Sequence, residues 1–487
     1  MLPPLPPEPS PPTLDRERFD ALVAQGYNQV PLVRRLELGA LRPVDLLRVF
    51  PEGSRFLLES SRVSSEGRYS FLGARPFLSF TAKERTCRVQ GEPHPGEPLE
   101  VLRALLQRWR GVRLPGMPLF CGGAVGFFGY EANHYFEALP RHPRDDLRLP
   151  DIAFHFVDTF LAVDHLTHSL LVVASGSDFD DCVRRADALE ESVHRAVPTP
   201  PPAPPPLEAP TLTPRSNFTL EGYLRSVERV QEYIRAGDTY QVNLSQRLEV
   251  EYSGAPLALY ETLCATNPVH FASYLEFDGF HVVSASPERL VRVENGRATT
   301  RPIAGTRRKG TAEENARFAQ ELRTSEKERA EHAMLVDLER NDLGRVCAYG
   351  SVEVTRLMEI IEYAHVLHIE SEVVGTLAPG VGLLEVVGAV FPGGTITGVP
   401  KIRTMQIITE LEPHARGLYT GSIGYLGFAG GMDLNIVIRT LVLQGGKAYA
   451  QVGGGVVHDS QPRQEYKETL HKARSQLIAL SACGAKA

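Results

Sequence analysis

The sequence predicts a protein of mixed helices and strands, with two regions separated by a proline-rich connector. Runs with alternating apolar positions, such as residues 67–80, are typical of strands that bury one face. Amphipathic runs such as residues 219–236 are typical of helices packed on a core. Nine of the 17 residues from 198 to 214 are proline, which favours an extended, semi-rigid segment. We therefore expect a disordered proline-rich tail at 1–13, an N-terminal domain at 14–197, a linker at 198–214 and a C-terminal domain at 215–487.

Composition and charge exclude several classes of function. The chain has 487 residues and 43% hydrophobic content, enough to bury a large core, with a formal net charge of -7 and a pI near 6.1. It has no basic patch for nucleic acid, no apolar run as long as a membrane span, and no recognisable signal sequence. We expect a cytoplasmic protein that binds neither nucleic acid nor membranes.

The cysteines do not indicate a metal or disulfide framework. They are scattered, without CxxC or Cys/His spacing, so we expect reduced thiols that are mostly structural. The six are Cys87, Cys121, Cys182, Cys264, Cys347 and Cys483.

The N-terminal region begins with a helix near Leu14. Alternating apolar runs then predict strands, and longer amphipathic runs predict helices. Trp109, the only tryptophan, is expected to pack its helix against a sheet. The glycine-rich run at 122–129 lacks the order GxGxxG, so it does not predict nucleotide binding. Strands are predicted at 54–61, 67–80, 152–165 and 169–175, and helices at 98–110 and 176–196.

The C-terminal region has sharper local signals. Gly237 is expected to end the helix at 219–236, and the following strand should carry Gln241 and Asn243 on one side. Asn295 and Gly296 predict a hairpin turn. Further helices are predicted at 327–345 and 464–474, and further strands at 363–373 and 435–441.

Two pairs of glutamates stand at helical spacing. Glu328 and Glu331 are three residues apart, as are Glu465 and Glu468, so each pair lies on one helix face. Solvated acids paired with neighbouring lysines and arginines are the simpler interpretation. Four carboxylates aimed at one point would instead need a hard cation, and oxygen ligands suit Mg²⁺.

Other polar residues accumulate where strands end. Glu288 follows a proline at a strand end, where it could be fixed at a pocket mouth or lie on a surface turn. His368 lies on an alternating run, where a core histidine is the commoner case. Arg439 is a lone cation on an apolar run and needs an anionic partner. The segment 392–401 and the triple glycine 453–455 could present backbone N–H groups to an anion. The residues alone thus predict a magnesium-dependent enzyme acting on a small carboxylate.

Six motifs in this order resemble the chorismate-utilising enzymes: GDTYQVNLSQ, RPIAGTR, KERAEHAMLVDLERNDLGR, FPGGTITGVPK, TGSIGYLGF and NIVIRTL. The resemblance covers residues 57–480. It implies an α+β fold in which two large antiparallel sheets pack face to face with helices outside, and an active site in the C-terminal domain.

The resemblance also implies roles for individual residues. Glu288 would be the general acid for the departing C4 hydroxyl, and His368 would lie beside the reacting ring. Gln241 replaces the lysine that activates water in isochorismate and salicylate synthases, and Ala304 replaces the nucleophilic lysine of many aminodeoxychorismate synthases. Mg²⁺ would be held by Glu328, Glu331, Glu465 and Glu468, and chorismate by Arg439, Tyr449, Gly453, Gly454, Gly455, Lys472, Thr397 and Gly398.

Two activities fit this pattern. Ala304 alone favours anthranilate synthase component I, but the forms TITGVPK, SASPER and LNIVIRT resemble the aminodeoxychorismate synthase branch, which we favour. Feedback control by tryptophan is doubtful, because NPVHFA stands where such enzymes typically carry NPSPYM. A regulatory pocket is still predicted at Leu58, Glu59, Ser60, Asn267 and Pro268.

The nitrogen source is expected to be a second protein. None of the six cysteines lies in the GxCxG turn of glutamine amidotransferases, so ammonia should come from a separate glutaminase subunit. A catalytically silent sensing or scaffold subunit is the alternative from another class, and the intact set of acids argues against it.

Overall fold

The computed structural model describes residues 13–60, 67–206, 212–362 and 366–485. Almost all of the predicted tail at 1–13, and part of the predicted linker, lie outside these residues. Linker residue Thr199 packs on the N-terminal region, because its hydroxyl accepts hydrogen bonds from Arg42 and Arg48 at 2.7 and 2.9 Å.

The described residues form helices and strands along the whole chain. The helices are α1 (Arg16–Ala24), α2 (Pro43–Leu47), α3 (Pro98–Gln107), α4 (Phe179–His194), α5 (Leu220–Ala236), α6 (Pro256–Thr266), α7 (Ala312–Thr324), α8 (Glu326–Gly344), α9 (Leu383–Val390), α10 (Lys401–Leu411) and α11 (Pro462–Ala482). Short 3-10 helices are Tyr130–Tyr135 and Gly394–Ile396. The strands are β1 (Val30–Glu37), β2 (Phe56–Glu59), β3 (Tyr69–Gly73), β4 (Leu78–Lys83), β5 (Thr86–Val89), β6 (Glu92–His94), β7 (Gly123–Phe128), β8 (Ile152–Val157), β9 (Thr159–Asp164), β10 (Ser169–Gly176), β11 (Arg215–Ser216), β12 (Gln241–Glu251), β13 (Phe271–Phe277), β14 (Phe280–Ser286), β15 (Arg289–Glu294), β16 (Arg297–Thr300), β17 (Ile303–Arg308), β18 (Glu353–Glu362), β19 (Val366–Thr376), β20 (Gly398–Val399), β21 (Ser422–Gly427), β22 (Met432–Asn435), β23 (Thr440–Gln444) and β24 (Lys447–Val456).

These strands form two sheets, each with 12 strands among the described residues. The first has the order β1-β10-β9-β3-β2-β13-β14-β23-β24-β12-β11, with β20 beside β12. The second has the order β17-β19-β16-β15-β22-β21-β7-β8-β4-β5-β6, with β18 beside β19. In both sheets, the neighbouring strands named above run antiparallel to each other. Both sheets combine strands from before and after the proline-rich connector, so the two regions of the chain share one framework.

Aromatic side chains join the sheets face to face. Phe71 of the first sheet meets Tyr425 of the second with ring centroids 5.7 Å apart, and Phe120 lies 4.9 Å from Tyr425. Phe127 and Phe277 make a similar contact at 5.3 Å. Truncating one such ring to alanine typically costs about 3–5 kcal/mol of stability. The α+β fold of two packed antiparallel sheets is therefore confirmed.

Most local predictions hold. Gly237 ends α5 with φ of 81°, and Asn295 and Gly296 form the turn of the β15–β16 hairpin with φ of 52° and 73°. Trp109 lies beyond the end of α3 rather than on it, with its ring centroid 5.1 Å from that of Phe77. The strand predicted at 435–441 is wrong, because Arg439 lies in the turn between β22 and β23.

In the part of the chain that the structure describes, the longest helices are α5, α8 and α11, and all three are polar on average. None of them is long and apolar enough to cross a membrane.

Candidate active site

The candidate residues meet around the segment between α9 and α10. The hydroxyl of Thr395 donates to Glu288 Oε1 at 2.8 Å. The carbonyl of Ile396, next in the chain, accepts a hydrogen bond from Asn243 Nδ2 at 2.9 Å. Asn243 lies on β12, where it pairs with Gly455 of β24. The turn before β15 and the glycine-rich end of β24 therefore border one site.

Glu288 has the environment of a general acid. It lies in the turn between β14 and β15 and is 7% exposed. Burial raises its pKa to about 7, against the opposing effects of the Thr395 hydrogen bond and of Arg439 and Lys472. Because a substantial fraction of the carboxyl is still protonated near neutrality, it can donate a proton to a leaving group.

Arg439 is held close to the site by its backbone. Its φ is 51°, in the left-handed region that non-glycine residues rarely adopt, and its carbonyl accepts from the backbone N–H of Ala285 at 3.2 Å. Within the described residues, its guanidinium makes no hydrogen bond or ion pair. Burial lowers the pKa of this arginine, and the charge of Glu288 opposes the effect. A buried and unpaired guanidinium is suited to bind the carboxylate of a ligand.

His368 is neutral and oriented by β17. Its Nδ1 lies 3.1 Å from the carbonyl of Gly305 and 3.0 Å from Thr306 Oγ1. Burial lowers its pKa to about 4, with a smaller contribution from Arg439. Ala304, which lies beside Gly305 at a bulge in β17, is buried and adds only a methyl group.

The backbone is closely packed around Gln241. A Cβ on Gly398, whose φ is 143°, would lie 1.9 Å from the carbonyl oxygen of Gln241, so only glycine fits there. Thr397 is fully buried, and its carbonyl accepts from the backbone N–H of Asn243 at 2.8 Å. Gln241 Nε2 would lie 2.5 Å from a Cβ on Gly455. Its Oε1 is buried and has no hydrogen bond within the described residues, which leaves an acceptor for a ligand.

The glycines of β24 accommodate the acids of α11. Lys472 Nζ donates to the carbonyl of Gly453 at 3.0 Å and lies 2.8 Å from Glu468 Oε1. A Cβ on Gly454 would lie 3.4 Å from Glu465 Oε2 and 3.8 Å from Glu468 Oε1. The two carboxylates therefore lie side by side over one bare stretch of strand.

The acids of α8 lie over β17. Glu328 Oε1 is 3.2 Å from Arg307 Nη1, and its Oε2 would be 3.0 Å from a Cβ on Gly305. Glu331 lies one turn further along the same helix and is half-buried. Glu328 thus faces the strand that also carries Ala304 and orients His368.

The donor set fits Mg²⁺ in part. All four predicted ligands are carboxylates, and two of them share the space over Gly454. Among the described residues, however, no group of three or more potential metal ligands converges on one point. Mg²⁺ usually takes one or two carboxylates and completes its octahedron with water and substrate oxygens. The α11 pair meets that requirement, and the α8 pair could join it only through a bound ligand or water.

The structure places one predicted residue elsewhere. Tyr449 lies four positions from Gly453 along β24, about 13 Å at strand spacing, with its ring 5.5 Å from the guanidinium carbon of Arg247. Tyr419 lies at the site instead: its hydroxyl is 3.4 Å from Asn243 Nδ2 and would be 2.7 Å from a Cβ on Gly453. The available sequence signal was the glycine-flanked run at 417–421, whose tyrosine we did not single out.

A buried ion pair behind the site was also missed. Arg416 and Glu412 are 1% and 2% exposed at their side chains and 2.7 Å apart. The guanidinium also donates to the carbonyls of Asn243 at 2.6 Å and Ile396 at 3.1 Å. It thereby joins β12 to the segment that carries Thr395. The two residues have i,i+4 spacing but lie beyond the last residue of α10, and their contacts with the backbone of Asn243 and Ile396 do not follow from that spacing.

Two residues of the predicted regulatory pocket make hydrogen bonds within the protein. The hydroxyl of Tyr260 donates to Glu59 Oε2 at 2.6 Å, and burial raises the pKa of Glu59. Asn267 Nδ2 reaches the carbonyl of Ala285 at 3.5 Å. Leu58 and Ser60 flank Glu59 at the end of β2, and Pro268 follows Asn267 after α6.

Comparison with known proteins gives concordant matches. The family model for chorismate binding enzyme matches residues 53–477. Anthranilate synthase component 1 of Acetivibrio thermocellus is 39% identical over 492 residues, which cover 97% of this chain and 99% of that protein. Aminodeoxychorismate synthase component 1 of Bacillus subtilis is 43% identical over 437 residues, covering 87% and 91%. The crystal structure of anthranilate synthase component I from Streptococcus pneumoniae superposes with a TM-score of 0.77 at 33% identity, covering 91% and 99%.

Proposed function

Because the chain belongs to the family of chorismate binding enzymes, we propose that it aminates chorismate at the site around Glu288. The observation that carries this proposal is that a buried carboxyl that can be protonated lies near a buried guanidinium that makes no hydrogen bond or ion pair within the described residues. Glu288 can protonate a leaving hydroxyl, and Arg439 can bind a substrate carboxylate. A scaffold subunit without catalytic activity would not need either group, and burying an ionisable group costs free energy of folding.

Each site residue has its own role in the proposed reaction. The carboxylates of chorismate bind at Arg439, at Lys472 and at the backbone of residues 453–455, which bear no side chains. Glu288 donates its proton to the hydroxyl at C4, which leaves as water. His368, neutral because of its burial, borders the ring without adding a second positive charge.

Magnesium is part of this proposal. Glu465 and Glu468 would hold it from α11, and Glu328 and Glu331 would complete the site from α8 when substrate is present. When bound, the ion supplies an electrophile that stabilises negative charge on the ring carboxylate.

We propose ammonia as the nucleophile. Gln241 is a neutral amide and cannot act as a general base toward water, and Ala304 offers no amine for covalent attack. Two of the cysteines are poor candidates for a glutaminase nucleophile: burial raises the pKa of Cys121 to about 12 and that of Cys182 to about 11, which favours the thiol form of both. A separate subunit would provide ammonia, in keeping with the relatives' designation as component 1.

The proposed product is 4-amino-4-deoxychorismate. The motif forms TITGVPK and LNIVIRT support it, as does the relative from Bacillus subtilis at 43% identity. Anthranilate is the second candidate, favoured by the relative from Acetivibrio thermocellus, which aligns over 99% of its own length.

Product identification tests the proposal. Purified protein is mixed with chorismate, Mg²⁺ and excess ammonium salt, which bypasses the glutaminase. A non-fluorescent amine that an added lyase converts to 4-aminobenzoate, formed without pyruvate, would support the first candidate. Fluorescent anthranilate with equimolar pyruvate would establish the second. Unchanged chorismate would refute both.

A further inference from the structure

A second carboxyl, that of Glu339, lies near enough to Glu288 for their charges to interact, and one of its oxygens is buried. It belongs to α8, two helical turns beyond Glu331. Its Oε2 is buried, and neither this oxygen nor the neighbouring hydroxyl Oγ1 of Thr300 makes a well-aligned hydrogen bond with the described residues, although the hydroxyl lies close enough to lower the pKa of the carboxyl. Buried polar atoms are rarely unsatisfied, and two facing ones are commonly bridged by water.

Packing connects this carboxyl to Glu288. Leu338, adjacent to Glu339, lies so close to Gly394 that a Cβ there would be 2.1 Å from Leu338 Cδ2. The next residue is Thr395, which donates to Glu288 at 2.8 Å. α8 therefore rests on the segment that holds the general acid.

The charges around Glu339 keep it protonatable. Burial raises its pKa to about 8, and the nearby carboxylates of Glu288 and Asp342 act in the same direction. Lys401 and the Thr300 hydroxyl oppose them. The two carboxyls thus titrate in neighbouring ranges, a condition for passing a proton between them at low cost.

On its other side, Glu339 approaches an open cavity. Asp342, three residues further along α8, accepts a hydrogen bond from Lys401 Nζ at 2.6 Å. Both line a cavity of about 620 Å³ that opens to the surface, with Asp337 and the exposed Tyr240 and Ile402 at its walls. The helix turn that carries Glu339 therefore packs through Leu338 on the segment that holds Glu288 and reaches the cavity through Asp342.

We propose that Glu339 is a positioning residue that returns a proton to Glu288 after each turnover, drawing it from the cavity at Asp342 and Lys401. The inference rests on the proposed function. In one turnover the C–O bond breaks and its oxygen leaves as water with the proton of Glu288. A C–N bond forms, and the nitrogen releases one proton to water. The cycle is complete when another proton from the cavity reaches the Glu288 carboxylate through Glu339.

Rapid-mixing kinetics of the full chain with saturating chorismate, Mg²⁺ and ammonium salt test the relay. In Glu339→Gln the first turnover should keep its rate, because Glu288 starts protonated. Later turnovers should slow about tenfold or more, the lower end of what a proton-transfer group contributes. Product should therefore appear as a burst of one equivalent, with little change in KM.

Two further variants complete the experiment. Asp342→Asn should give a weaker burst, whereas the control Asp337→Asn, an exposed acid of the same helix and cavity, should behave like the unchanged protein. Equal slowing of the first and later turnovers, or a steady rate within twofold of the unchanged protein, would overturn the relay. Should Glu339→Gln fail to fold, Asp342→Asn decides by the same criteria. Absence of turnover in the unchanged protein would refute the proposed function itself, and the relay with it.

Discussion

The ammonium of Lys472 lies 2.8 Å from Glu468 Oε1, one helical turn earlier on α11. The same ammonium donates to the carbonyl of Gly453, so a single cation connects an expected metal ligand to the glycine strand expected to bind chorismate. Both side chains are about half exposed, so the pair adds little to folding stability. The ion pair instead positions the two side chains beside the glycine strand. A metal ion bound to Glu468 would release Lys472 to bind the substrate.

Glu468→Gln should weaken the apparent affinity for Mg²⁺ by at least about tenfold, because a metal site that loses one charged ligand loses much of its attraction. The measurement is the Mg²⁺ dependence of chorismate consumption. Asp459→Asn, which removes an exposed acid just before α11, serves as the control and should leave that dependence unchanged. Equal responses of the two variants would contradict a metal site at Glu468.

The rate of chorismate consumption should fall as pH rises through about 7, because the Glu288 carboxyl must be protonated to act and its pKa lies there. Glu288→Gln should lower kcat by about 10²- to 10⁴-fold, the usual contribution of a general acid. Thr395→Val removes a hydrogen bond that lowers this pKa, so the falling limb should move to higher pH. A limb that stays in place in Thr395→Val would argue that another group titrates.

Arg439→Met should raise the Kd for chorismate by about 10- to 100-fold, since a charged hydrogen bond contributes about 1.5–3 kcal/mol. The melting temperature without substrate should stay the same or rise, because the variant removes a buried charge that no described residue pairs. Calorimetric titration and thermal unfolding check both outcomes. Arg340→Met, on the surface of α8, is the control. Severe destabilisation by Arg439→Met would show a structural role instead.

Tyr419→Phe should weaken chorismate binding, because the Tyr419 hydroxyl lies between Asn243 and Gly453. Tyr449→Phe should have little effect, because that ring lies near Arg247 at the far end of the strand. Comparing the KM values of the two variants separates the positions. A larger change in the KM of Tyr449→Phe would indicate that Tyr449, rather than Tyr419, binds chorismate.

Several elements of the site follow from local sequence rules. The spacing of Glu328 and Glu331, and of Glu465 and Glu468, places each pair on one helix face, as observed for α8 and α11. Gly237 and the Asn295–Gly296 turn follow from backbone conformations that other residues rarely adopt. These rules act over a few residues and do not depend on the rest of the fold.

Other features depend on contacts between distant parts of the chain. The apolar neighbours of Arg439 predict a strand. In the structure the chain turns at this residue, and its carbonyl accepts a hydrogen bond from the backbone N–H of Ala285. The resemblance implies a role for Tyr449 and none for Tyr419, because a sequence does not reveal which tyrosine ring faces the glycine strand. The sequence does not distinguish Glu339 from the other acids of α8, because the burial of its Oε2 depends on packing against other segments.

By itself, the sequence determined the helices and turns, the residue types suited to an anionic substrate and a hard cation, and the resemblance to chorismate-utilising enzymes. Only the tertiary structure decided which of these groups meet and how they are charged. The reason is physical: helical spacing and turn propensity are local, whereas the desolvation that raises the pKa of Glu288 and lowers that of His368 arises only when distant segments close around them.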